Sequence, residues 1–389
     1  MALSSLRISC LCGSVAQLVT SRSAARARAP DADEQLSLCH CDACRHSTGL
    51  LCASYRPIAA PTLPQNIKEY QAADGWTRYF CSSCGCHVFR RKSAEWELAT
   101  GVIAESLPDS GPTAARYAHH AHVPDTKDGG SAVWIPEFQG QKMQFLDSDD
   151  DDDDAAHAGA ETRTAAPPGP REQTPDQDPL PASCACGRVR FHITRPDAAS
   201  YLPRSAFSDL IYVYSSTDKA ITQNPGNEKW WIRAGGTKYL GGTCACRSCR
   251  LASGFEIQTW TFVPRANIFF RVPQPDARDI TVPLDFATLP AGILTSYRSS
   301  PDVLREFCGT CGATVFWHDS WRPDLIDVSV ELLRAKEGAR ADRWVDWWTE
   351  RVSFAEDTEN GRVGNEARRA RALIESLEIG LQQWSERAQ

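Results

Sequence analysis

The stretch "LCHCDACRHSTG", Leu38 to Gly49, places three cysteines within six positions, at Cys39, Cys41 and Cys44. A tetrahedral metal site normally takes four ligands. Cysteines two apart in an extended chain line one face about 6.6 Å apart, so Cys39 and Cys41 come close enough to share an ion only where the backbone turns. The fold therefore hangs on where such turns recur.

They recur in order. "SCLCGSV" from Ser9 returns as "SCACGRV" from Ser183, and "CHCDACRHSTG" from Cys39 returns as "CACRSCRLASG" from Cys244. "FCSSCGCHVF" from Phe80 returns as "FCGTCGATVF" from Phe307. Three blocks repeated in one order indicate a duplicated domain. The matching cysteines Cys10 and Cys184 lie 174 residues apart, Cys39 and Cys244 lie 205 apart, and Cys81 and Cys308 lie 227 apart. The second copy is thus lengthened between its blocks, in stretches such as "TQNPGNEKWWIRAGG" and "RVPQPDARDITVPL", where insertions leave the cysteines alone.

The chain has 389 residues and 16 cysteines, fourteen of which fall in these blocks, with Cys52 and Cys86 left over. Spacings this short in a long chain suit metal thiolates better than disulfides. Seven per copy divides into four from the outer blocks and three from the middle one. The four-ligand sets are Cys10, Cys12, Cys81 and Cys84, and Cys184, Cys186, Cys308 and Cys311. The three-ligand sets are Cys39, Cys41 and Cys44, and Cys244, Cys246 and Cys249.

Runs such as "VRFHIT", "IQTWTFVP" and "ATVFWH" are rich in β-branched and aromatic residues between Gly, Pro and Asp, so both copies read as mainly β. Apolar residues from Ala370 to Trp384 keep helical spacing and predict a C-terminal amphipathic helix over 361–389, packed on the second copy, with a partner-binding helix as the alternative. The division is then 1–146, a linker at 147–182, 183–360 and 361–389. The linker, with "DSDDDDDD" from Asp147 and a Pro-rich continuation, has nothing to form a core and reads as disordered. Its other reading is an acidic arm for a basic partner.

This block order resembles that of the glutathione-dependent formaldehyde-activating enzyme family, to which centromere protein V also belongs. The resemblance rests on CxCG, CxCxxCRxxxG and FCxxCGxxVF in each copy. It implies two tandem Mss4-like zinc-binding β domains, with structural zinc on the outer four cysteines and a labile zinc on the middle three, up to four per chain. It further implies a carbon–sulfur lyase activity, the addition of glutathione to formaldehyde to give S-hydroxymethylglutathione. Three protein ligands leave a position open for a thiol, which loses its proton there near neutral pH. Arg45 and Arg250, beside the last ligand of each trio, are candidates to offset thiolate charge or hold a substrate carboxylate; an ordinary surface ion pair is the alternative.

Other residues carry weaker readings. His40 is matched by Ala245. It sits between two ligands and reads as a neighbour of the site rather than a ligand. "HHAH", with His119, His120 and His122, reads as an exposed loop before it reads as a source of a base. Cys52 reads as a small buried hydrophobe and Cys86 as a spare ligand matched by Ala313. Trp230, Trp231, Trp344, Trp347 and Trp348 read as core before they read as a substrate wall or a partner surface.

The formal charge of −7 gives no attraction to nucleic acid or to an anionic membrane. "MALSSLRISC" lacks the pattern of a signal peptide, and no run of about 18 apolar residues occurs. The expected setting is the cytoplasm, with the nucleus as the alternative. The partners expected are a small thiol, glutathione, and an aldehyde. The competing class is a non-catalytic zinc module that binds protein or chromatin.

Overall fold

The computed structural model describes residues 4–22, 34–107, 115–146, 178–274 and 278–388. The protein is mainly β, with several sheets and four α-helices among the described residues: α1 (Asp42–Thr48), α2 (Lys219–Thr222), α3 (Arg247–Ser253) and α4 (Gly364–Ala388). Alternation sets the outer strands: in Ser5–Ser9, Leu6 and Ile8 are buried while Arg7 is exposed. A strand covered on both faces reads instead as an unbroken run, as in "QTWTFVP" of Gln258–Pro264, every residue of which is buried.

Each half is built on the same strand order. In the first, Tyr55–Ile58, Glu95–Ala99, His87–Lys92, Thr77–Cys81 and Ile67–Gln71 form a five-stranded antiparallel sheet. In the second, Gln258–Pro264, Leu325–Ser329, Thr314–Asp319, Val303–Phe307 and Thr295–Ser300 follow in that order within a larger sheet. Lys238–Cys244 joins that sheet directly, and Val345–Trp347 pairs with it in parallel. The corresponding Gln35–Cys39 pairs in parallel with Arg116–Ala121 and makes an isolated bridge from Cys39 to Ala53, just before the five-stranded sheet begins at Tyr55.

The halves share one core. A single hydrophobic cluster holds Leu36, Leu50 and Trp134 together with Phe191, Tyr239 and Phe316. Contacts across the junction are reciprocal. A Cβ on Gly85 would meet the Phe307 ring at 2.6 Å, and one on Gly312 would meet the Phe80 ring at 2.7 Å. Leu11 N–H donates to Leu251 O, and Ala185 N–H donates to His46 O. Gly49, in the left-handed region, faces Thr314 O, and Gly254, also left-handed, faces His87 O. The junction thus has an approximate two-fold character, like the isologous contact of a symmetric dimer.

Three expectations are corrected. The helix α4 does not pack mainly on the second half; it lies against Ile103–Leu107, Gly130–Trp134 and Glu137–Phe138 of the first. Gly380 explains the close approach, since a Cβ there would sit 1.9 Å from Trp134 O. At the linker, strand structure begins at Leu180, inside the 147–182 span: Leu180–Ser183 pairs with Arg190–Ile193, with Leu180 and Ala182 buried. The acidic run itself, and the rest of the linker to residue 177, lie outside the described residues. "HHAH" is not an exposed loop, because His119 and His120 belong to the strand Arg116–Ala121, and His120 is buried. The Trp230, Trp231, Trp344 and Trp347 side chains are buried, with Trp348 packed beside Trp230 and Trp231.

Candidate metal centres

Two clusters bring four sulfurs together and two bring three, all within 4.8 Å of one another in each group. Cys10 and Cys12 sit on the turn between Ser5–Ser9 and Ala16–Thr20, where Gly13 takes φ 75°. Cys81 ends Thr77–Cys81, and Cys84 precedes Gly85 at φ 80°. The sulfurs of Cys12 lie 3.5 Å from those of Cys10 and of Cys81. Cys186 stands likewise 3.5 Å from Cys184 and Cys308. A tetrahedral zinc with bonds of about 2.3 Å separates its sulfurs by about 3.8 Å, so both sets fit that ion with little movement. Each set is flanked by a tyrosine of the other half, Tyr297 against the cluster of Cys10, Cys81 and Cys84, and Tyr70 beside Cys184, Cys186 and Cys311.

The trios are built by helix ends. Cys39 closes a strand, Cys41 is the N-cap of α1 with its sulfur accepting from Cys44 N–H at 3.3 Å, and Cys44 lies in the first turn. Cys244, Cys246 and Cys249 repeat this on α3, with the same 3.3 Å capping bond. Helix N-termini favour negative charge, so this placement suits thiolates. Both helices stop at a left-handed glycine, Gly49 and Gly254.

The cations on these sulfurs are not Arg45 and Arg250. Arg78 Nη2 donates to Cys44 Sγ at 3.2 Å and Arg90 Nη1 to the same sulfur at 3.6 Å. In the second trio, Arg305 Nη1 donates to Cys249 Sγ at 3.5 Å. The neighbouring sulfurs of Cys39 and Cys41 hold the Cys44 thiol well below its usual range, with Arg78 and Arg90 adding to this. Cys244 and Cys249 do the same to Cys246, helped by Arg305. The crowded partners Cys39 and Cys244 are pushed up. Each trio holds one thiolate easily and further ones at a cost, which a divalent cation removes.

Arg45 and Arg250 instead bolt the halves together, correcting both the substrate-facing and the surface reading. Arg45 is buried and paired with Glu331 at 2.5 Å and with Asp42. Arg250 is buried and donates to Gly101 O at 2.6 Å and Asn360 O at 2.8 Å. Burial pushes the Arg250 guanidinium down to about 9, with Arg362 nearby adding to this.

His40 is fully buried and turned into the core, with Nε2 at 2.9 Å from His120 Nδ1, and His120 Nε2 at 2.9 Å from Ile135 O. The carbonyl takes a proton only from an N–H, so His120 carries its hydrogen on Nε2 and accepts from His40. Burial lowers both imidazoles, that of His120 to about 4. Neither is among the cysteine-only clusters found in the described residues. Cys52 and Cys86 are buried outside those clusters; burial pushes the Cys52 thiol up to about 12.

Sequence reasoning passed over Arg78, Arg90 and Arg305. A signal for two of them was present: "RYFCSSCG" and "REFCGTCG" share an arginine three residues before the first cysteine. Arg90 has no such counterpart, since its matched position is Trp317.

Among the described residues no helix is long and apolar enough to cross a membrane. Residues 5–120 match the family model described as glutathione-dependent formaldehyde-activating enzyme. No match to the chain is found among curated proteins.

Proposed function

We propose that the protein is a zinc-dependent carbon–sulfur lyase of the S-(hydroxymethyl)glutathione synthase type, acting in the cytoplasm on glutathione and formaldehyde. The family match over residues 5–120 supports the reaction class. The observation that carries the reading is the trio of Cys39, Cys41 and Cys44, short of one ligand and faced by two guanidinium groups. In this reading the second half is a further copy of the domain, supported by its matching blocks and strand order. Cys10, Cys12, Cys81 and Cys84 hold a structural zinc, as do Cys184, Cys186, Cys308 and Cys311. The two trios hold labile zinc.

Zinc on three thiolates supplies an open position at which a substrate thiol ionises near neutral pH. The chain's own contribution is charge and placement. Zinc with three thiolates carries one negative charge, and a substrate thiolate makes two. Arg78 and Arg90, each also paired with a carboxylate, offset part of this charge. Arg90 is held rigid for this, with Glu97 at 2.5 Å and the rings of Tyr55 and Trp76 each 4.1 Å from its guanidinium carbon. Arg78 is braced by Asp74 at 2.6 Å. The α1 N-terminus, where Cys41 is the cap, adds its dipole.

The test is the exchange rate between formaldehyde and glutathione, followed by proton exchange spectroscopy with zinc-loaded protein. Acceleration above the spontaneous rate, lost in Cys41→Ser, supports the proposal. A rate equal to the spontaneous one refutes it.

A further inference from the structure

The trio of the second half has different walls. Counting from the matched blocks, Tyr55 is replaced by Trp260 and Arg90 by Trp317. His122 is replaced by Phe354. Each follows a residue paired in parallel beside the first cysteine of its trio, Ala121 with Cys39 and Ser353 with Cys244. Each is left-handed, at φ 58° and 53°, so the two occupy the same backbone position. Trp260 packs among Cys244, Cys246 and Cys249, and Trp317 and Phe354 pack against that group.

The second copy's added length extends this wall outward. Asp209, buried within the lengthened segment, accepts from Phe354 N–H at 2.8 Å and Ser353 Oγ at 3.1 Å, clamping the segment to the trio's rim. From the same segment Tyr214, 80% exposed, lies with its ring 6.2 Å from that of Phe354. A line of aromatic side chains therefore runs from solvent to the sulfurs.

The donors on sulfur point the same way. Arg305 is the one guanidinium bonded to these sulfurs among the described residues, where the first trio has two. Arg322 lies 4.9 Å over the Trp317 ring, but its charge is already paired with Asp319 and Asp327. Arg78 and Arg90 are likewise paired, with Asp74 and Glu97, so what separates the trios is the number of guanidinium donors on sulfur, one here against two. An aromatic group next to the sulfur finds partners that the first trio replaces with a cation and an imidazole.

We infer that the second trio handles thiol adducts of aromatic aldehydes, with Trp260, Trp317 and Phe354 holding the aryl group and Trp317 setting the specificity. This rests on the lyase reading above and names a second substrate class for it. In the step, the thiol sulfur bonds to the aldehyde carbon as the C=O π pair moves to oxygen. The thiol proton ends on that oxygen, and nothing is oxidised or reduced.

The experiment titrates the zinc-loaded full chain with benzyl mercaptan, which places a ring one carbon from sulfur, and separately with glutathione. Calorimetry is run on wild type, Trp317→Arg, Phe354→His and Arg90→Trp, with zinc content and melting temperature measured alongside. One benzyl mercaptan site per chain is expected, weakened about ten-fold or more by Trp317→Arg. Phe354→His weakens it in the same direction and serves if the first variant does not fold. Arg90→Trp gains a second aromatic-thiol site. Glutathione binding with benzyl mercaptan affinity unmoved by either second-half variant overturns this inference and leaves the lyase reading standing. Binding of neither thiol overturns both.

Discussion

Arg78 shows what a residue distant in sequence does at the trio. Its Nη2 donates to Cys44, while Asp74, itself partly solvated, accepts from both Nη1 and Nη2. Replacing it by Met keeps most of the packing volume and removes the charge. We expect Arg78→Met to lower zinc affinity at one trio by about 10–100-fold. Competition with a chromophoric chelator measures this, and an unchanged affinity contradicts the assigned role. The contrast with Arg45 explains why sequence alone chose the wrong arginine. Neighbours on a helix are rotated by about 100°, so a residue next to the ligand Cys44 points elsewhere, in this case to Glu331 of the other half. Proximity along the chain is a poor guide to proximity in space once a ligand lies on a helix. His40 repeats the lesson, since strand alternation turns the residue between two ligands away from both.

At the scale of elements, α1 and α3 are each defined by a cysteine N-cap and a left-handed glycine. Gly49 is constrained twice, by φ 79° and by Thr314 O at 2.4 Å from where a Cβ would stand. Gly13 has φ 75° and open space around it. Gly13→Ala should therefore cost only the backbone term, on the order of 1 kcal/mol. Gly49→Ala should cost more, about 3 kcal/mol, because the junction must also shift. Urea midpoints of the two variants check the ranking; equal losses would mean that Thr314 gives way freely. Much at this scale was legible in the sequence: the cysteine sets, the β character from β-branched runs, and α4 from its 3.6-residue period. The partner of α4 was not, because its apolar stripe states that a face is buried and not against what. The strand at "HHAH" was missed because its histidines read as polar, whereas a hydrogen-bonded chain through His40 and Ile135 O is what lets His120 be buried.

At the scale of the molecule, the halves share a core and are tied through buried charge. Arg362 pairs with Glu256 at 2.9 Å, both side chains inaccessible, and also donates to Ile103 O at 3.1 Å and Thr100 O at 3.2 Å. Arg362→Met leaves Glu256 buried and without this partner, and the expected loss is about 3–5 kcal/mol, read from thermal unfolding. Acid should act on the same junction. Burial first, then Arg78, lowers the His87 imidazole to about 4. His87 lies where the halves meet, its Nε2 2.7 Å from the Cβ position of Gly312 and its carbonyl against Gly254. In the unfolded chain the same imidazole titrates near its ordinary 6.5. Between those two values the unfolded state binds the proton and the folded state resists it. Stability is therefore fully present above pH 6.5 and falls as pH drops toward 4, by a few kcal/mol for one such buried group, on the order of 1.4 per pH unit. Zinc release from protonated cysteines adds to the acid loss in any variant, so the informative quantity is a difference. His87→Phe, which keeps a ring beside Phe80, should show a shallower decline of the urea midpoint between pH 6.5 and 4.5 than the wild type. Identical slopes would mean that His87 does not resist protonation in the folded protein, and that acid reaches the junction through other groups.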